Sequence, residues 1–240
     1  MITLNHVTKK FKIPHRKEET VFSFVKNIFH SVTYETIRAV DNVNFEIHGG
    51  EIIGIIGNNG SGKTTLLQII SGILPADEGS IDVQGDVAPF LGLGVGFHGD
   101  LTAQENVYLY GAILGLTRKY LHTRMKKILK YAGVEKFKDT QLKKFSSGMQ
   151  ARLAFAMMIE TQPDILILDE IFAVGDKDFQ PKCFEVFKKY KESGKTILFA
   201  THDMSIIKKH CTKVLLLNKG KQLAYGKPEE VLKAYESVTQ

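Results

Sequence analysis

The chain has 240 residues, 43% of them hydrophobic and 24% charged, with 21 glycines, 6 prolines and a formal net charge of +6. That length suits one domain burying its own core without disulfides or metal, and the composition excludes collagen, a long coiled coil and wholesale disorder. No run of about 18 apolar residues is present, so no bilayer span is expected. Met1-Ile2-Thr3-Leu4-Asn5-His6 does not read as a secretory signal.

In chain order, Ile2–Val7 alternates apolar and polar residues, as does Val43–Ile47, which suits a half-exposed antiparallel sheet. Between them, residues 14–37 stand apart. Val21, Phe22, Phe24, Val25, Ile28, Phe29 and Val32 fall within an arc of about 160° at helical spacing. This reads as an amphipathic helix near Thr20–Val32. Its apolar face either packs on the core or meets a membrane subunit, an anionic leaflet or a substrate. Glu51–Ile56 follows as a buried strand, and Thr65–Ile70 as the apolar-periodic start of a helix. Residues 103–160 read almost entirely as helix, opened by the capping-box pattern Thr102-Ala103-Gln104-Glu105. Ile165–Leu168, Thr196–Ala200 and Lys213–Leu217 are further buried strands, with a turn at Asn218-Lys219-Gly220 before a short strand near Gln222–Tyr225. Strands alternating with helices predict an α/β protein around a largely parallel sheet. Cys183 and Cys211 read as buried free thiols of a cytosolic protein.

The chemistry centres on Gly57-Asn58-Asn59-Gly60-Ser61-Gly62-Lys63-Thr64, a G-x-x-x-x-G-K-[ST] loop between a strand and a helix opening at Thr65. Glycines let successive N–H groups converge on a phosphate at a helix N-terminus. Lys63 adds a charge for the β- and γ-phosphates, and the Thr64 hydroxyl suits Mg²⁺. The strand Ile165–Leu168 ends on Asp169 and Glu170, two acids at the edge where open α/β sheets bind ligands. Asp169 is the expected Mg²⁺-side carboxylate, and Glu170 the group that orients or deprotonates the attacking water.

Phe145-Ser146-Ser147-Gly148-Met149-Gln150 then resembles the signature of ABC-type ATPases, usually written LSGGQ. Phosphate loop, signature, acidic strand end and His202 after the next strand stand in the family's order, and the resemblance covers almost the whole chain. It implies a P-loop NTPase (RecA-like) core with an antiparallel β subdomain and an inserted α-helical subdomain at about 97–160, in a single nucleotide-binding domain of 1–240. It also implies ATP with Mg²⁺ and a head-to-tail pair of copies, with Ser146, Ser147, Gly148 and Met149 of one meeting the γ-phosphate at Lys63 of the other. His202 would contact the γ-phosphate. Phe11 matches the ring stacked on adenine, with core packing as its alternative role and Tyr34 as a competing stacker.

Three departures narrow the family. Ser147 and Met149 replace glycine and glutamine of the signature. Ala173-Val174-Gly175-Asp176 replaces Ser-Ala-Leu-Asp, and a glycine-rich loop, Leu91–Phe97, puts Gly94 near the expected glutamine. With the inserted amphipathic segment, these are similar to the exporters of lipid-linked polysaccharides: O-antigen, capsule and teichoic acid. The resemblance implies two copies of a polytopic membrane subunit as partner, a lipid-linked glycan as cargo, a place at the cytoplasmic membrane face and no nucleic-acid partner. With the chain ending at Gln240, no appended carbohydrate-binding domain is expected. Other readings are another ABC transporter class, a soluble ABC ATPase of ribosome or DNA, and a GTPase. Asn218-Lys219-Gly220-Lys221 lacks the aspartate that a GTPase needs for guanine recognition.

Overall fold

The computed structural model describes residues 1–14, 34–91, 96–169 and 179–239. Nine strands are described: β1 (Ile2–Pro14), β2 (Tyr34–Ile47), β3 (Ile52–Ile56), β4 (Glu78–Val83), β5 (Val87–Phe90), β6 (Ile165–Asp169), β7 (Thr196–Ala200), β8 (Lys213–Asn218) and β9 (Lys221–Gly226). They lie in the order β4-β1-β2-β9-β8-β3-β7-β6-β5. One half is parallel: β8, β3, β7, β6 and β5 run together. The other is antiparallel, with β1 between β2 and β4. The single pair Asp41↔Lys221 joins the halves. The described helices are α1 (Lys63–Ile70), α2 (Ala103–Ile113), α3 (Arg118–Ala132), α4 (Ser147–Glu160), α5 (Gln180–Glu192), α6 (Met204–His210) and α7 (Pro228–Thr239).

Successive strand residues point to opposite faces, and the parallel strands are apolar on both. Ile53 and Ile55 of β3, Ile165 and Ile167 of β6 and Leu198 of β7 share one core with Leu66, Leu67, Ile69 and Ile70 of α1. Ile52 and Ile56, Leu166 and Leu168, and Ile197 and Phe199 face a second core with α2, α3, α4 and α5. The first face is covered by α1 and by Leu4, Val7, Val43 and Phe45 of β1 and β2, the second by helices, and burial on both faces is what a parallel sheet requires. The inserted helices come between β5 and β6, as the long helical stretch predicts. Thr102 caps α2 with a reciprocal capping box to Glu105. Glu160, at the end of α4, is tied to Arg124 of α3 at 2.8 Å and accepts from Tyr120 at 2.9 Å.

The structure differs from the sequence reading in several places. β1 and β2 are far longer than the alternating segments: Phe11↔Ile37, Lys12↔Thr36, Ile13↔Glu35 and Pro14↔Tyr34 extend the ladder. Pro14 and Tyr34–Ile37, assigned by sequence to the insertion, therefore belong to a ribbon. Backbone pairing carries those residues although Phe11, Ile13, Tyr34 and Ile37 remain exposed. The amphipathic segment at 20–32 lies outside the described residues. β4 and β5 have no counterpart in the sequence reading. Cys183 is buried as expected, whereas Cys211 is half-buried; burial pushes both thiols up to about 12, so neither is a nucleophile at neutral pH. Among the described residues no helix is long and apolar enough to cross a membrane.

Candidate functional site

The register brings three strand ends level. Ala200 of β7 pairs with Ile55 of β3 on one side and with Asp169 of β6 on the other. The loop after β3, the carboxylate ending β6 and the Thr201-His202 segment after β7 therefore meet at one edge. Adjacent strands lie about 4.8 Å apart, so the three span roughly 10 Å. This is the carboxyl edge of a parallel sheet, where ligands bind.

The phosphate loop owes its path to close backbone contacts. Gly57 has φ +147° and would place a Cβ 2.1 Å from the Leu217 carbonyl oxygen; Gly62, at φ +103°, would place one 2.2 Å from that of Ala39. No side chain fits either position. Ser61 N donates to Asn58 O at 3.1 Å inside the loop, and Gly220 N donates to Ser61 O at 3.0 Å from the β8–β9 turn. Asp41 N in turn donates to Gly220 O at 2.8 Å, so β2 and that turn hold the loop from behind. Gly62 is the left-handed N-cap of α1, with no side-chain cap. The first turn of α1 therefore carries no side-chain cap at the positive end of its dipole, where anions bind.

Lys63 is 5% exposed and donates to Gly57 O at 2.8 Å and Asn58 O at 3.1 Å, bent back over the loop. Ser61 is buried, and its hydroxyl has no hydrogen-bond partner among the described residues. Asn58, Asn59, Gly60 and Thr64 are exposed and Thr65 is half-buried. Oδ1 of Asp169 is buried and has no partner among the described residues. Two orphaned polar atoms at one sheet edge are the mark of a polar ligand site.

After β7, Thr201 is buried, and its hydroxyl accepts from Asp203 N at 3.1 Å. Asp203 caps α6 by accepting from Ser205 N at 2.8 Å and from Ile206 N. The Ser205 hydroxyl above all, with those backbone bonds, outweighs burial and holds the Asp203 carboxyl below its ordinary range. His202 is the exposed residue between these anchors.

The signature stands on a separate element. Ser146 is the N-cap of α4, its hydroxyl accepting from Met149 N at 3.2 Å. Ser146 and Ser147 are exposed, and Gly148 and Met149 half-buried. Phe11 is 38% exposed and Tyr34 59% exposed on the β1–β2 ribbon, with Lys9 Nζ 5.8 Å from the Phe11 ring centre. Glu170 and Gly94 lie outside the described residues. The sequence reading missed the grip of the β8–β9 turn on Ser61. Its only signal is the turn Asn218-Lys219-Gly220, which does not say what it touches.

A glycine-rich loop between β3 and α1, an aspartate two strands away and a serine N-cap on an inserted helical layer are the parts that a nucleotide-phosphate site uses. The ABC transporter family profile matches residues 40–173. The chain belongs to the ABC transporter family and is an ATP-hydrolysing cassette of it. It is similar to the O-antigen export system ATP-binding protein RfbB of Klebsiella pneumoniae, at 36% identity over 98% of this chain and 97% of that protein. It is also similar to the teichoic acids export ATP-binding protein TagH of Bacillus anthracis, at 38% identity over 98% of this chain. The chain spans 42% of that second relative's length. Among solved structures, the ATP-binding cassette MJ0796, dimeric in a post-hydrolysis state with ADP and Pi, superimposes with a TM-score of 0.77. Its identity is 25%, over 95% of this chain and 99% of that one.

Proposed function

We propose that the chain is the ATP-hydrolysing subunit of an exporter for a lipid-linked cell-surface polysaccharide, of O-antigen, capsule or teichoic acid type, moved through a separate polytopic membrane subunit. The observation that carries this reading is the end-to-end likeness to RfbB, 98% of this chain against 97% of that protein. The chain then works as a head-to-tail pair on the cytoplasmic face of the membrane, held there by two copies of the membrane subunit. Ser146, Ser147, Gly148 and Met149 of one copy face the γ-phosphate held at Lys63 of the other.

In this reading the loop N–H groups from Gly60 to Thr65, with the dipole of α1, bind the phosphates. Lys63 turns its ammonium from the loop carbonyls to the β- and γ-oxygens. The buried Asp169 Oδ1, without a partner among the described residues, and the exposed Thr64 hydroxyl fit a hard cation that prefers oxygen ligands. Bound there, Mg²⁺ supplies neutralisation of the charge on the β- and γ-oxygens. Glu170 orients the attacking water and accepts its proton. His202, held between the Thr201 and Asp203 anchors, contacts the γ-phosphate and keeps the water in line. Phe11 or Tyr34 on the ribbon stacks on the adenine.

The test is co-reconstitution with the membrane subunit in lipid vesicles, with labelled lipid-linked glycans on the side of the ATPase. ATP turnover should rise with the glycan, and label should cross the bilayer only with hydrolysable ATP. Turnover that ignores every lipid-linked glycan yet responds to ribosomes or DNA would overturn the reading.

A further inference from the structure

Helix α2 buries one polar side chain completely. Asn106 is 0% exposed, beside Ala103, Val107, Tyr110 and Gly111 on the same helix. A buried amide persists where its donors and acceptor are used, and here they are spent on the loop just ahead. Oδ1 accepts from His98 N at 2.7 Å. Nδ2 donates to the carbonyls of His98, Leu101 and Thr102, each at 3.0 Å. Two N–H protons serve three carbonyls, so one bond is shared. Residues 98–102 are thereby wound around a single side chain.

That loop is paired with the segment leading into the signature. Leu142 N donates to Leu101 O and Lys143 N to Gly99 O, both at 2.9 Å, while Ala103 N donates to Thr140 O at 3.0 Å. Gln141 Nε2 adds a bond to Asp100 O at 3.0 Å, and Lys143 pairs with Asp100 at 2.8 Å. Phe145, 6% exposed, then precedes Ser146, and Gln150 Nε2 reaches back from α4 to Leu142 O at 3.2 Å. From Asn106 to Ser146 the path runs through backbone pairing and one buried ring.

We infer that Asn106 is a positioning residue for the signature: it holds 98–102 in the form that pairs with 140–143, and so sets where Ser146 and Ser147 stand. The inference rests on the proposed head-to-tail pairing, in which those serines complete the partner's nucleotide site. Its consequence is directional. Loss of Asn106 harms the site on the partner's phosphate loop and spares its own, which is held by β2, β3 and the β8–β9 turn.

Mixed dimers separate the two. Asn106→Ala alone should keep the ATP affinity of the isolated subunit and lose about tenfold or more in kcat, since a misplacement of about 1 Å costs on the order of 10²-fold. Mixing it with Lys63→Ala joins an intact phosphate loop to an intact signature across one interface. Turnover should then rise well above that of either variant alone, carried by the mixed pairs, each of which holds one intact site. Mixing Asn106→Ala with Ser146→Arg should restore nothing. If Ser146→Arg with Lys63→Ala recovers turnover and Asn106→Ala with Lys63→Ala does not, the inference is overturned and the pairing stands. If Ser146→Arg with Lys63→Ala fails to recover, the pairing itself falls and takes the inference with it. Should Asn106→Ala not fold, Gln141→Ala, which removes the side-chain bond to Asp100 O that ties 98–102 to 140–143, carries the same test, with a smaller loss in the same pattern.

Discussion

Two glycines of the phosphate loop share a left-handed backbone and differ in what surrounds them, which makes them a controlled pair. Gly60 has φ +75° with no atom of the described residues within 4 Å of the position a Cβ would take; Gly62 has φ +103° with the Ala39 carbonyl oxygen 2.2 Å away. Gly60→Ala therefore costs only the left-handed penalty of an L-residue, about 1–2 kcal/mol. Gly62→Ala bears that penalty and must also push the two backbones about 1 Å away from each other, an overpacking cost of about 1–3 kcal/mol. For a chain of this size each kcal/mol moves Tm by about 2–4 °C. Gly60→Ala should then lose about 2–8 °C and Gly62→Ala about 4–20 °C. The displaced segment in Gly62→Ala is the start of α1, so its affinity for a fluorescent ATP analogue should fall as well. Thermal melts followed by circular dichroism and equilibrium titration read both effects. A Gly62→Ala protein with wild-type Tm and affinity, or a Gly60→Ala protein that is the less stable of the two, would refute the packing argument.

Lys63→Ala should weaken ATP binding by roughly 10- to 150-fold, the worth of a charge-assisted hydrogen bond of about 1.5–3 kcal/mol; unchanged affinity in the same titration contradicts the cradle. Glu170→Gln should bind ATP and turn it over about 10²- to 10⁴-fold more slowly, and light scattering should find it as a long-lived dimer with Mg-ATP. Near-normal phosphate release moves the base elsewhere, with His202 the first to examine. Burial alone raises the Glu160 carboxyl, but hydrogen bonds from Arg124 and Tyr120 and the charge of Lys127 outweigh it and hold the group below its ordinary range. A depressed folded pKa means that this stabilisation is complete above the ordinary value of 4.5 and is lost as pH falls through the folded one. The Tm gap between wild type and Glu160→Gln should accordingly be open at pH 7 and close in acid; a gap that ignores pH refutes the assignment.

The phosphate loop, the acidic end of β6 and the Thr102 cap are legible in the sequence because each is local. A run of a few residues there dictates φ angles, N–H directions or strand burial without reference to anything distant. The parallel half of the sheet is legible for the same reason: Ile165–Leu168 and Thr196–Ala200 are buried along their length, and only a strand covered on both faces wants such a run of apolar residues. The length of the β1–β2 ribbon is not legible, since Phe11, Ile13, Tyr34 and Ile37 are exposed and no burial pattern marks them. Backbone pairing alone holds them, and pairing is a property of two segments together. The same limit applies inside the site. That Gly220 presses on Ser61, that Gly62 has no room because of Ala39, and that Glu160 sits between Arg124 and Tyr120 all depend on residues far apart in the chain. Asn106 shows the division within one residue: its place on a capped helix follows from Thr102 and Glu105, whereas its role follows from the pairing of 98–102 with 140–143. Local sequence specified the glycine-rich loop, the buried strands and the helix caps of this protein, and long-range packing decided the geometry in which they are held, because close backbone contacts and buried hydrogen bonds exist only once distant segments meet.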